Sequence, residues 1–578
     1  MLLSVYRFIE ENPDIASHFT EVWRYLLPIL SAAILLGAIY SLFLVPKRPE
    51  VFAKILLADG TYHRLTAWEC ILGRSRQADL VLPFETVSRL HAVIFQKRPG
   101  HFMITDLKSK CGTFVNGRPV SGETPLPFGS RVTLGSVDFT FLPISEREKI
   151  DTEKKRSGVR PIPPWTILIL LSFVQLGQLF QYCISKDAKY AGYIIPSFLL
   201  LTVFMWSYFI IMRLFRIIGF ELEIIAFYLV TISLSVTATS YPYALYKQLL
   251  ANVLGIFVML FLGFLLKDLR KVQRVRWLMA AASLGLMLLT LALGGLRYGA
   301  TNWISIGGVS FQPSELSKLC YIFCGSATLD RLFRKRNLWL FTILSGSVML
   351  CLAAMNDYGT AAIFFITFLV ISFLRSGDIA TLILFSGGAV TLGGMVLIAK
   401  PYVWARFSTW RHAWEYASSG GYQQTRTMTA IASGGLFGVG GGNGVLTRVA
   451  ASDTDLVFGM VCEEYGLIVG LLTIICILSL AFYAIRSCSY ARSSFYTIAA
   501  CSATSMLVFQ TALNVFGSVD ILPLTGVTFP FVSNGGSSMI LSWGLLAFLK
   551  ATDTRPRASF ANAVFYDGRK GGAADEEA

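Results

Sequence analysis

The sequence predicts a polytopic α-helical membrane protein of about 13 spans, with an all-β sandwich inserted after the first span. Three observations support this fold class. The 578 residues are 54% hydrophobic and only 15% charged, with a mean hydropathy of +0.59, whereas soluble domains carry about 25% charged residues. Many apolar runs of about 20 residues are each long enough to cross a bilayer as a helix. Between residues 51 and 142, short alternating runs separated by turn residues are typical of a β-sandwich.

The flanks of the first apolar run predict its orientation. Glu10, Glu11 and Asp14 precede this run, and Lys47 and Arg48 follow it. Because basic residues favour the cytoplasmic side, we expect the N-terminus outside and the insertion in the cytoplasm. The acidic flank also argues against a cleavable secretory peptide. The predicted spans lie at about residues 25–45, 164–183, 190–212, 219–239, 248–266, 277–295, 314–331, 338–354, 359–375, 379–399, 456–485, 495–515 and 537–550.

The chain divides into six predicted segments. An odd number of spans brings the C-terminal tail back to the cytoplasm. The segments are residues 1–50 with one span, 51–142 as the sandwich, 143–163 as a charged linker, 164–216 with two additional spans, 217–552 as a ten-span core, and 553–578 as a cytoplasmic tail.

The net charge of +15 indicates basic inner loops and contact with anionic membrane lipids, and we expect no nucleic-acid partner. The ten cysteines form no CxxC pair, so we interpret them as small core residues. One basic loop, at residues 400–455, is predicted to lie outside. It is either a long translocated loop that escapes the charge rule or a basic cavity for an anionic ligand.

Three polar segments rich in glycine or proline interrupt the apolar runs, at residues 299–316, 421–466 and 522–538. Irregular chain at membrane depth persists only where it is buried in protein or lines a cavity. An acidic residue within or beside a span indicates a functional site. The candidate acids in or near these segments are Glu315, Asp357, Asp455, Glu463 and Glu464.

In their order and spacing, the three segments resemble the SEDS family (shape, elongation, division and sporulation), which includes FtsW, RodA and SpoVE. The resemblance covers roughly residues 220 to 550. It implies an inverting peptidoglycan glycosyltransferase that polymerises lipid II, with Asp455 as the catalytic base. A base is needed because a sugar hydroxyl is a weak nucleophile. Asp455 could instead only cap the following helix, and we expect the other four acids to brace helices or loops.

The resemblance also implies the groups that would hold the substrate. Arginines, or a divalent cation such as Mg²⁺ or Mn²⁺, would balance the charge of the departing diphosphate, although the sequence shows no dedicated metal motif. The candidate substrate-binding residues are Arg406, Arg411, Arg426, Arg448, Trp303, Gln312, Glu315, Gln423, Ser533, Asn534, Ser537 and Ser538.

Four positions depart from the family pattern. Asn302, Asn356 and Asn534 stand where the family commonly has arginine, proline and tyrosine, and residues 449–452 replace a Pro-Glu pair. Two other functions therefore stay open: a lipid-linked precursor transporter (a flippase) and a non-catalytic cell-wall scaffold. The resemblance further implies a class B penicillin-binding protein as partner, and a role in cell-wall growth, division or sporulation.

Three short motifs inside the predicted sandwich resemble a forkhead-associated (FHA) domain, a phosphothreonine-binding module. They are Gly73-Arg74-Ser75, Ser88-Arg89-Leu90-His91-Ala92 and the run from Asp106 to Gly117. The resemblance implies that Arg74 and Ser88 hold the phosphate, which suits a guanidinium fork and a hydroxyl donor. Arg89 and Lys110 would line the rim, Asn116 would bond the peptide backbone, and His91 would be structural. The implied partner is a cytoplasmic phosphothreonine protein; the alternative is an inert sandwich.

Overall fold

The computed structural model describes residues 11–44, 51–145 apart from 76, 77 and 99, 147–148, and 162–553 apart from 216, 218, 298, 299, 307, 308, 329–334, 378, 489 and 492. Lys47 and Arg48, most of the predicted linker at 143–163 and nearly all of the predicted tail at 553–578 lie outside these residues. The chain forms two compact units. A helical unit contains described residues between 11 and 43, 162 and 485, and 498 and 551, and a β unit contains most of the others.

The β unit is a sandwich of two sheets. Alternate residues of the strands are buried, as in Val137–Leu142, so one face of each sheet packs on a shared core that includes Ile55, Ile94, Phe139 and Phe141. The strands are β1 Ala53–Leu57, β2 Tyr62–Leu65, β3 Glu69–Gly73, β4 Leu80–Val81, β5 Ala92–Arg98, β6 His101–Asp106, β7 Thr113–Val115, β8 Arg118–Pro119, β9 Thr124–Pro125, β10 Arg131–Leu134 and β11 Val137–Leu142. One sheet has the order β2-β1-β11-β10-β7-β8 and the other β4-β3-β5-β6-β9.

The helical unit has thirteen long helices and two shorter loop helices among its described residues. The long helices are α1 Pro13–Leu44, α2 Pro164–Ser185, α3 Ala191–Leu214, α4 Glu221–Ser240, α5 Leu245–Leu266, α6 Leu269–Leu293, α7 Pro313–Thr328, α8 Lys335–Ala354, α9 Tyr358–Ser376, α10 Ile379–Ala399, α13 Val457–Cys488, α14 Ser494–Ser518 and α15 Gly536–Ala551. The loop helices are α11 Pro401–Thr409 and α12 Tyr422–Gly434.

Eleven of the described helices are long and apolar enough to span a membrane, so the chain is a multi-pass membrane protein. The other two predicted spans, at 314–331 and 537–550, correspond to α7 and α15, which have 16 residues each. The predicted fold class, a helical membrane protein with an inserted β-sandwich, is confirmed. The first span begins earlier than predicted, because α1 continues through the polar residues from Pro13.

Helix α4 forms the centre of the helical unit. Every residue of α4 except Ser240 is buried, including polar side chains such as Thr231 and Thr239. Next to it, α5 and α15 approach closely at Gly255, where an added methyl group would lie 2.6 Å from the Trp543 ring. The Trp543 indole then donates to Asn252 Oδ1 at 2.8 Å. Small residues and interhelical hydrogen bonds are the usual means of holding membrane helices together.

The helices that precede α4 are bonded to it by buried polar contacts. Gln175 of α2 donates to Thr231 of α4 at 3.2 Å, and the Tyr182 hydroxyl lies 3.0 Å from Thr239 Oγ1. Ser41 of α1 donates to Glu221 of α4 at 2.8 Å. These contacts make α1 and α2 part of the same packed bundle as the ten-span core.

Part of the polar segment at residues 299–316 forms strands. A three-stranded antiparallel sheet joins β12 Gly295–Arg297, β13 Ala300–Ile306 and β14 Val309–Phe311 between α6 and α7. Trp303 of the central strand pairs with Gly295 of β12. Thr301 N of the same strand donates to Met355 O at 3.1 Å, beside the junction of α8 and α9. The sheet therefore fixes this loop against the bundle.

Candidate active site

Asp455 lies in a tight turn just before α13. Ala451, in the left-handed region at φ 58°, starts this turn, and its carbonyl accepts from Asp455 N at 2.9 Å. The half-buried Asp455 carboxylate faces Gly526, where an added methyl group would lie 3.3 Å from Oδ2. Gly526 has φ +71°, so a glycine there serves both the turn and the close approach. The polar segments 421–466 and 522–538 thus meet at Asp455.

The side-chain amide of Asn514 bonds both polar segments where they meet at Asp455. Asn514, near the end of α14, donates from Nδ2 to the carbonyl oxygens of Thr454 (3.3 Å), Asp455 (3.0 Å) and Val527 (2.8 Å). Ser533 adds a hydroxyl bond to Thr454 O at 2.7 Å. Because the backbone on both sides of Asp455 is bonded in this way, its carboxylate has a defined position.

A neighbouring aspartate, Asp453, is bonded through its side chain. Its Oδ2 accepts from Asn534 Nδ2 at 2.8 Å and from the Ser240 hydroxyl at 3.1 Å. Asn534 N also donates to Asp453 O at 2.9 Å. Asn534, one of the departures from the family pattern, therefore joins the loop before α15 to the turn that carries Asp455.

The third polar segment reaches the site through Asp357. One carboxylate oxygen of Asp357 caps α9 by accepting from Thr360 N at 3.1 Å. The other accepts from Asn302 Nδ2 at 2.7 Å and from Gln312 Nε2 at 3.2 Å. The expected bracing role of Asp357 is confirmed, and Asn302 contributes to it in place of the usual arginine.

The electrostatic surroundings of Asp455 raise its pKa to about 6. Burial makes the largest contribution because it disfavours the charged carboxylate. A hydrogen bond with Thr454 and the positive charge of Arg406 act in the opposite direction, whereas the negative charges of Asp453 and Asp357 raise the pKa further. A carboxyl group of this kind can accept a proton near neutral pH.

The helix-cap alternative for Asp455 gains no support from the contacts. Among the residues that the structure describes, no hydrogen bond joins the Asp455 carboxylate to a backbone N–H of α13. The role of Asp455 as base stays a prediction.

Of the four candidate arginines, Arg406 is the one placed beside Asp455. It lies in α11, is exposed, and donates from Nη1 to Leu524 O at 2.9 Å in the loop that carries Gly526. Arg411, Arg426 and Arg448 are exposed on the same long loop. Arg426 lies over the Tyr422 ring at 5.3 Å, and Arg411 N donates to Asp520 at 3.1 Å.

The other candidate substrate residues divide into three groups. Gln312, Ser533 and Asn534 are in the hydrogen-bond network described above. Gln423 bonds Ala450 O at 3.0 Å, four residues before Thr454. Trp303 lies in β13, Ser537 is half-buried at the start of α15, and Ser538 shares a hydrogen bond of 2.8 Å with Thr528.

The remaining acids have internal contacts. Glu315 forms a buried ion pair of 2.7 Å with Lys318. Glu463 accepts from the backbone of Val445 and Leu446 at 2.9 and 3.0 Å. Glu464 accepts from Thr239 and Tyr182 at 2.9 and 3.2 Å. The contacts of Glu463 and Glu464 agree with the expectation that they brace loops and helices, and the substrate-binding role of Glu315 stays a prediction.

The described residues provide no cluster of three or more His, Cys, Asp or Glu side chains that could hold a metal ion. Arg406, Arg411, Arg426 and Arg448 are exposed positive groups on the loop that precedes Asp455.

In the β unit, the predicted phosphothreonine residues lie on adjoining loops. Arg74, Arg89 and Lys110 are exposed. Arg74 N donates to Ser88 O at 3.0 Å, and Ser88 Oγ accepts from Lys110 N at 2.9 Å. The backbone contacts bring the three loop segments into one cluster with the basic side chains at its surface.

Two residues of this cluster have mainly internal contacts. His91 is fully buried and bonds Ser88 N at 3.1 Å and Gly112 O at 3.0 Å, which confirms its structural role. Asn116, at φ 51°, accepts from Arg131 N at 2.9 Å through Oδ1. Its Nδ2 has a longer contact of 3.4 Å with Ser130. This amide nitrogen is therefore the group of Asn116 that is available to donate a hydrogen bond to a bound peptide.

Four residues of the site were not predicted from the sequence: Asn514, Asp453, Ser240 and Gly526. Only Asn514 gave a visible signal, because an asparagine inside an otherwise apolar span is expensive unless it bonds a partner. Asp453 stood next to Asp455 in the sequence, but only the fold shows that it bonds Asn534 and Ser240.

Comparison with known proteins identifies the family. A family model for cell cycle proteins of the FtsW, RodA and SpoVE type matches residues 205–557, and an FHA domain model matches residues 70–135. The probable peptidoglycan glycosyltransferase FtsW of Moranella endobia is 32% identical over 53% of this chain and 84% of its own length. The corresponding Bacillus subtilis protein is 28% identical over 60% of this chain and 89% of its own length.

A solved structure agrees with the fold. A chain from a structure on the coordination of polymerization and crosslinking by a peptidoglycan synthase complex is 24% identical. It covers 58% of this chain and 97% of its own length, with a TM-score of 0.50. The helical unit has the corresponding fold, and its family model covers more than half of the residues. The chain therefore belongs to the SEDS family of FtsW, RodA and SpoVE proteins and carries an FHA domain in addition to the family core.

Proposed function

We propose that this protein is a membrane peptidoglycan glycosyltransferase that polymerises lipid II, the undecaprenyl-diphosphate-linked disaccharide-peptide. The observation that carries the proposal is Asp455, a carboxylate with a raised pKa at the point where the polar segments 421–466 and 522–538 meet. The named FtsW relatives, which are described as probable peptidoglycan glycosyltransferases, support the same activity.

In the proposed reaction, Asp455 is the general base. The 4-hydroxyl oxygen of the acceptor's N-acetylglucosamine attacks the anomeric carbon of the donor's N-acetylmuramic acid. The carbon–oxygen bond to the diphosphate breaks, its electron pair leaves with the lipid diphosphate, and the hydroxyl proton moves to Asp455. One displacement converts the α-linked donor to a β-1,4 bond, so no covalent enzyme intermediate is required. A positioned base of this kind contributes about 10²–10⁴ in rate.

The positive charge at the site would stabilise the leaving group. Arg406 lies close enough to Asp455 to lower its pKa, and it is exposed with one nitrogen fixed on Leu524 O. A guanidinium is a suitable partner for a diphosphate because its planar fork matches phosphate oxygens. Arg411, Arg426 and Arg448 on the same loop would add to this field.

The proposed orientation places Asp455 outside and the FHA domain in the cytoplasm. It rests on the basic residues that follow the first span and on the basic run at residues 267–276, which begins after α5 and continues into the first turns of α6. With this orientation, the polymerase site faces the compartment in which the cell wall grows, and the FHA domain faces the compartment in which protein kinases act.

The proposed partners follow from the two units. The FHA domain would bind a cytoplasmic phosphothreonine protein through Arg74 and Ser88 and so recruit or regulate the enzyme. The helical unit would act with a class B penicillin-binding protein that cross-links the new strands. The synthase-complex structure, which concerns both polymerisation and crosslinking, supports such a partner.

The test of the activity is polymerisation of labelled lipid II by the purified full-length protein. We expect glycan strands from the wild type and a loss of about 10²–10⁴ in rate for Asp455→Asn. Asp59→Asn is the matched control, because Asp59 is an exposed aspartate of the β unit. Equal rates for wild type and Asp455→Asn would remove Asp455 as the base. A wild type that moves lipid II across vesicles without making strands would instead be a transporter.

The FHA function has its own test. We expect the full-length protein to bind phosphothreonine peptides from a degenerate library, and Arg74→Ala to weaken this binding by at least about tenfold, since a charge-assisted phosphate contact is lost. Arg118→Ala is the control, because Arg118 is also exposed but lies in β8. Binding that is unaffected by Arg74→Ala, or by removal of the phosphate, would show an inert sandwich.

A further inference from the structure

Five tyrosines pack together at the end of the bundle that carries Asp455. Tyr243 is their centre: its ring centroid lies 5.4 Å from Tyr190, 5.2 Å from Tyr193 and 5.7 Å from Tyr241. Tyr193 also lies 5.5 Å from Tyr246. We refer to these five residues as the tyrosine platform. Most of its rings meet edge to face, which is a favourable arrangement for aromatic pairs.

The tyrosine platform is built by two parts of the chain. Tyr190 lies in the turn before α3 and Tyr193 in the first turn of α3, in the helices added before the ten-span core. Tyr241 and Tyr243 lie in the turn before α5 and Tyr246 in the first turn of α5, inside that core. The Tyr246 hydroxyl donates to Gly192 O at 2.5 Å, so the two turns are bonded to each other as well as stacked.

The platform presents aromatic surface next to charged groups. Tyr241, Tyr243 and Tyr246 are 58%, 46% and 41% exposed. Lys189 lies over the Tyr190 ring at 4.9 Å and pairs with Asp187, and both charged side chains are more than half exposed. The stacked rings and the exposed ion pair form a compact aromatic surface that also carries charge.

The platform adjoins the candidate active site. Ser240, the residue before Tyr241, donates to Asp453 Oδ2 at 3.1 Å. Asp453 is in turn two residues from Asp455 and is held by Asn534. The most exposed ring of the platform thus follows directly on a residue that contacts the turn of the proposed base.

We infer that the tyrosine platform binds the growing glycan strand as it leaves the active site. The inference rests on the proposed function, whose product is a polymer of amino sugars. The C–H faces of pyranose rings pack on aromatic faces, and tyrosine adds a hydroxyl that can bond sugar oxygens and acetamido groups. A platform of several rings holds such a polymer without reading a sequence and keeps its end near Asp455.

A strand that is held in this way should be extended many times before release. The experiment compares the full-length wild type with the double variant Tyr241→Ser, Tyr243→Ser, in nanodiscs and in detergent. The initial rate of lipid II consumption and the length distribution of the strands are both measured. We expect the mean strand length to fall about threefold or more while the initial rate changes by less than about twofold, because losing a weak binding surface affects release more than chemistry.

The affinity of the protein for glycan strands is also measured directly. Soluble, lipid-free glycan strands are titrated into the wild type and the double variant, and we expect about tenfold weaker binding by the variant. Tyr62→Ser in β2 is the control, because Tyr62 is 61% exposed but belongs to the β unit. The initial rate reports whether each variant is folded.

The possible results separate the inference from the function on which it rests. A wild type that makes no strands contradicts the proposed function. Strands of unchanged length from the double variant, with unchanged glycan binding, contradict the tyrosine platform as a glycan site. A length change that appears in nanodiscs and disappears in detergent also contradicts it, because the rings then contact lipid headgroups.

Discussion

Opposing effects of burial and of neighbouring groups determine the pKa of the Asp455 carboxyl group. Burial raises its pKa, and the Arg406 charge prevents the pKa from rising further. The hydrogen bond with Thr454 lowers the pKa as well. Removing either the hydrogen bond or the Arg406 charge would raise the pKa and leave a smaller fraction of Asp455 ionised and able to take a proton.

The pKa of Asp455 sets a pH profile for polymerisation. The base must be ionised to act, so we expect kcat/KM to be constant above about pH 7 and to fall about tenfold per unit well below pH 6. The measurement is the initial rate of strand formation between about pH 4.5 and 8, with protein integrity checked at each pH.

Arg406→Gln provides the internal check on this profile. Arg406 lowers the pKa of Asp455, so its removal should move the midpoint of the acid limb of kcat/KM to higher pH. Asp59→Asn should leave the midpoint unchanged, because Asp59 is exposed and belongs to the β unit. A rate that stays constant down to pH 5 would show that Asp455 does not control the acid limb.

At the scale of residues, the sequence indicated charged groups better than the groups that position them. Asp455 was a candidate because an acid beside a span is rare, and the family resemblance implied its role as base and that of Arg406 as a diphosphate ligand. Asn514 and Ser240 were missed because each bonds atoms that are distant in the chain; Asn514 is 59 residues from the carbonyl of Asp455. Such partners follow from tertiary packing, which no local pattern in one sequence specifies.

At the scale of elements, α1 and α2 cross so closely that only a glycine fits between them. A methyl group at Gly177 would overlap the ring of Trp23, which is 4% exposed. Farther along the same pair of helices, Gly37 faces Ile167, and a methyl group there would lie 3.3 Å from its side chain. The close approach is what allows α1 to pack on α2 along much of its length.

This contact gives a prediction with a matched control. Gly177→Ala should lower the stability of the bundle, because overpacking costs about 1–3 kcal/mol, more than the roughly 1 kcal/mol gained from helix propensity. Gly346→Ala in α8 should be neutral or stabilising, since nothing lies within 4 Å of the added group. The measurement is the thermal aggregation midpoint in one detergent. Equal midpoints for the two variants would contradict the packing of Trp23 on Gly177.

The elements themselves were largely predictable. Helices of the membrane unit follow long apolar runs, and most begin and end within a few residues of the predicted limits. The strands β12–β14 were not predicted, because their sequence is polar and rich in glycine and their pairing depends on the neighbouring helices. The pattern of apolar residues thus specified the spans but not the structured loop between α6 and α7.

At the scale of the whole molecule, the proposed orientation is testable through exposed thiols. Cys111 of the β unit is an exposed free cysteine, and Ser418 is an exposed residue of the loop at 400–455. A membrane-impermeant maleimide should label Ser418→Cys in intact spheroplasts and Cys111 only after lysis, because the loop and the β unit should lie on opposite sides. The unsubstituted protein provides the background from the other cysteines.

Two labelling results would contradict the proposed orientation. If Cys111 reacts in intact spheroplasts, the FHA domain is outside and cannot bind a cytoplasmic phosphoprotein. If Ser418→Cys reacts only after lysis, the loop with Arg406 faces the cytoplasm and the proposed polymerase has its site on the wrong side of the membrane.

The polar side chains of α2 also have a consequence for how the protein is made. Gln175, Gln178 and Gln181 of α2 are fully buried, and Tyr182 bonds Glu464, which lies 282 residues later in the chain. At a synthesis rate of about 5–20 residues per second, roughly 15–55 seconds separate their emergence from the ribosome. For most of that interval Gln181, whose amide bonds Gly441 O, and Tyr182 lie in the membrane without their final partners. We expect the nascent chain to remain with the insertion machinery until the segment around Gly441 and α13 have been made.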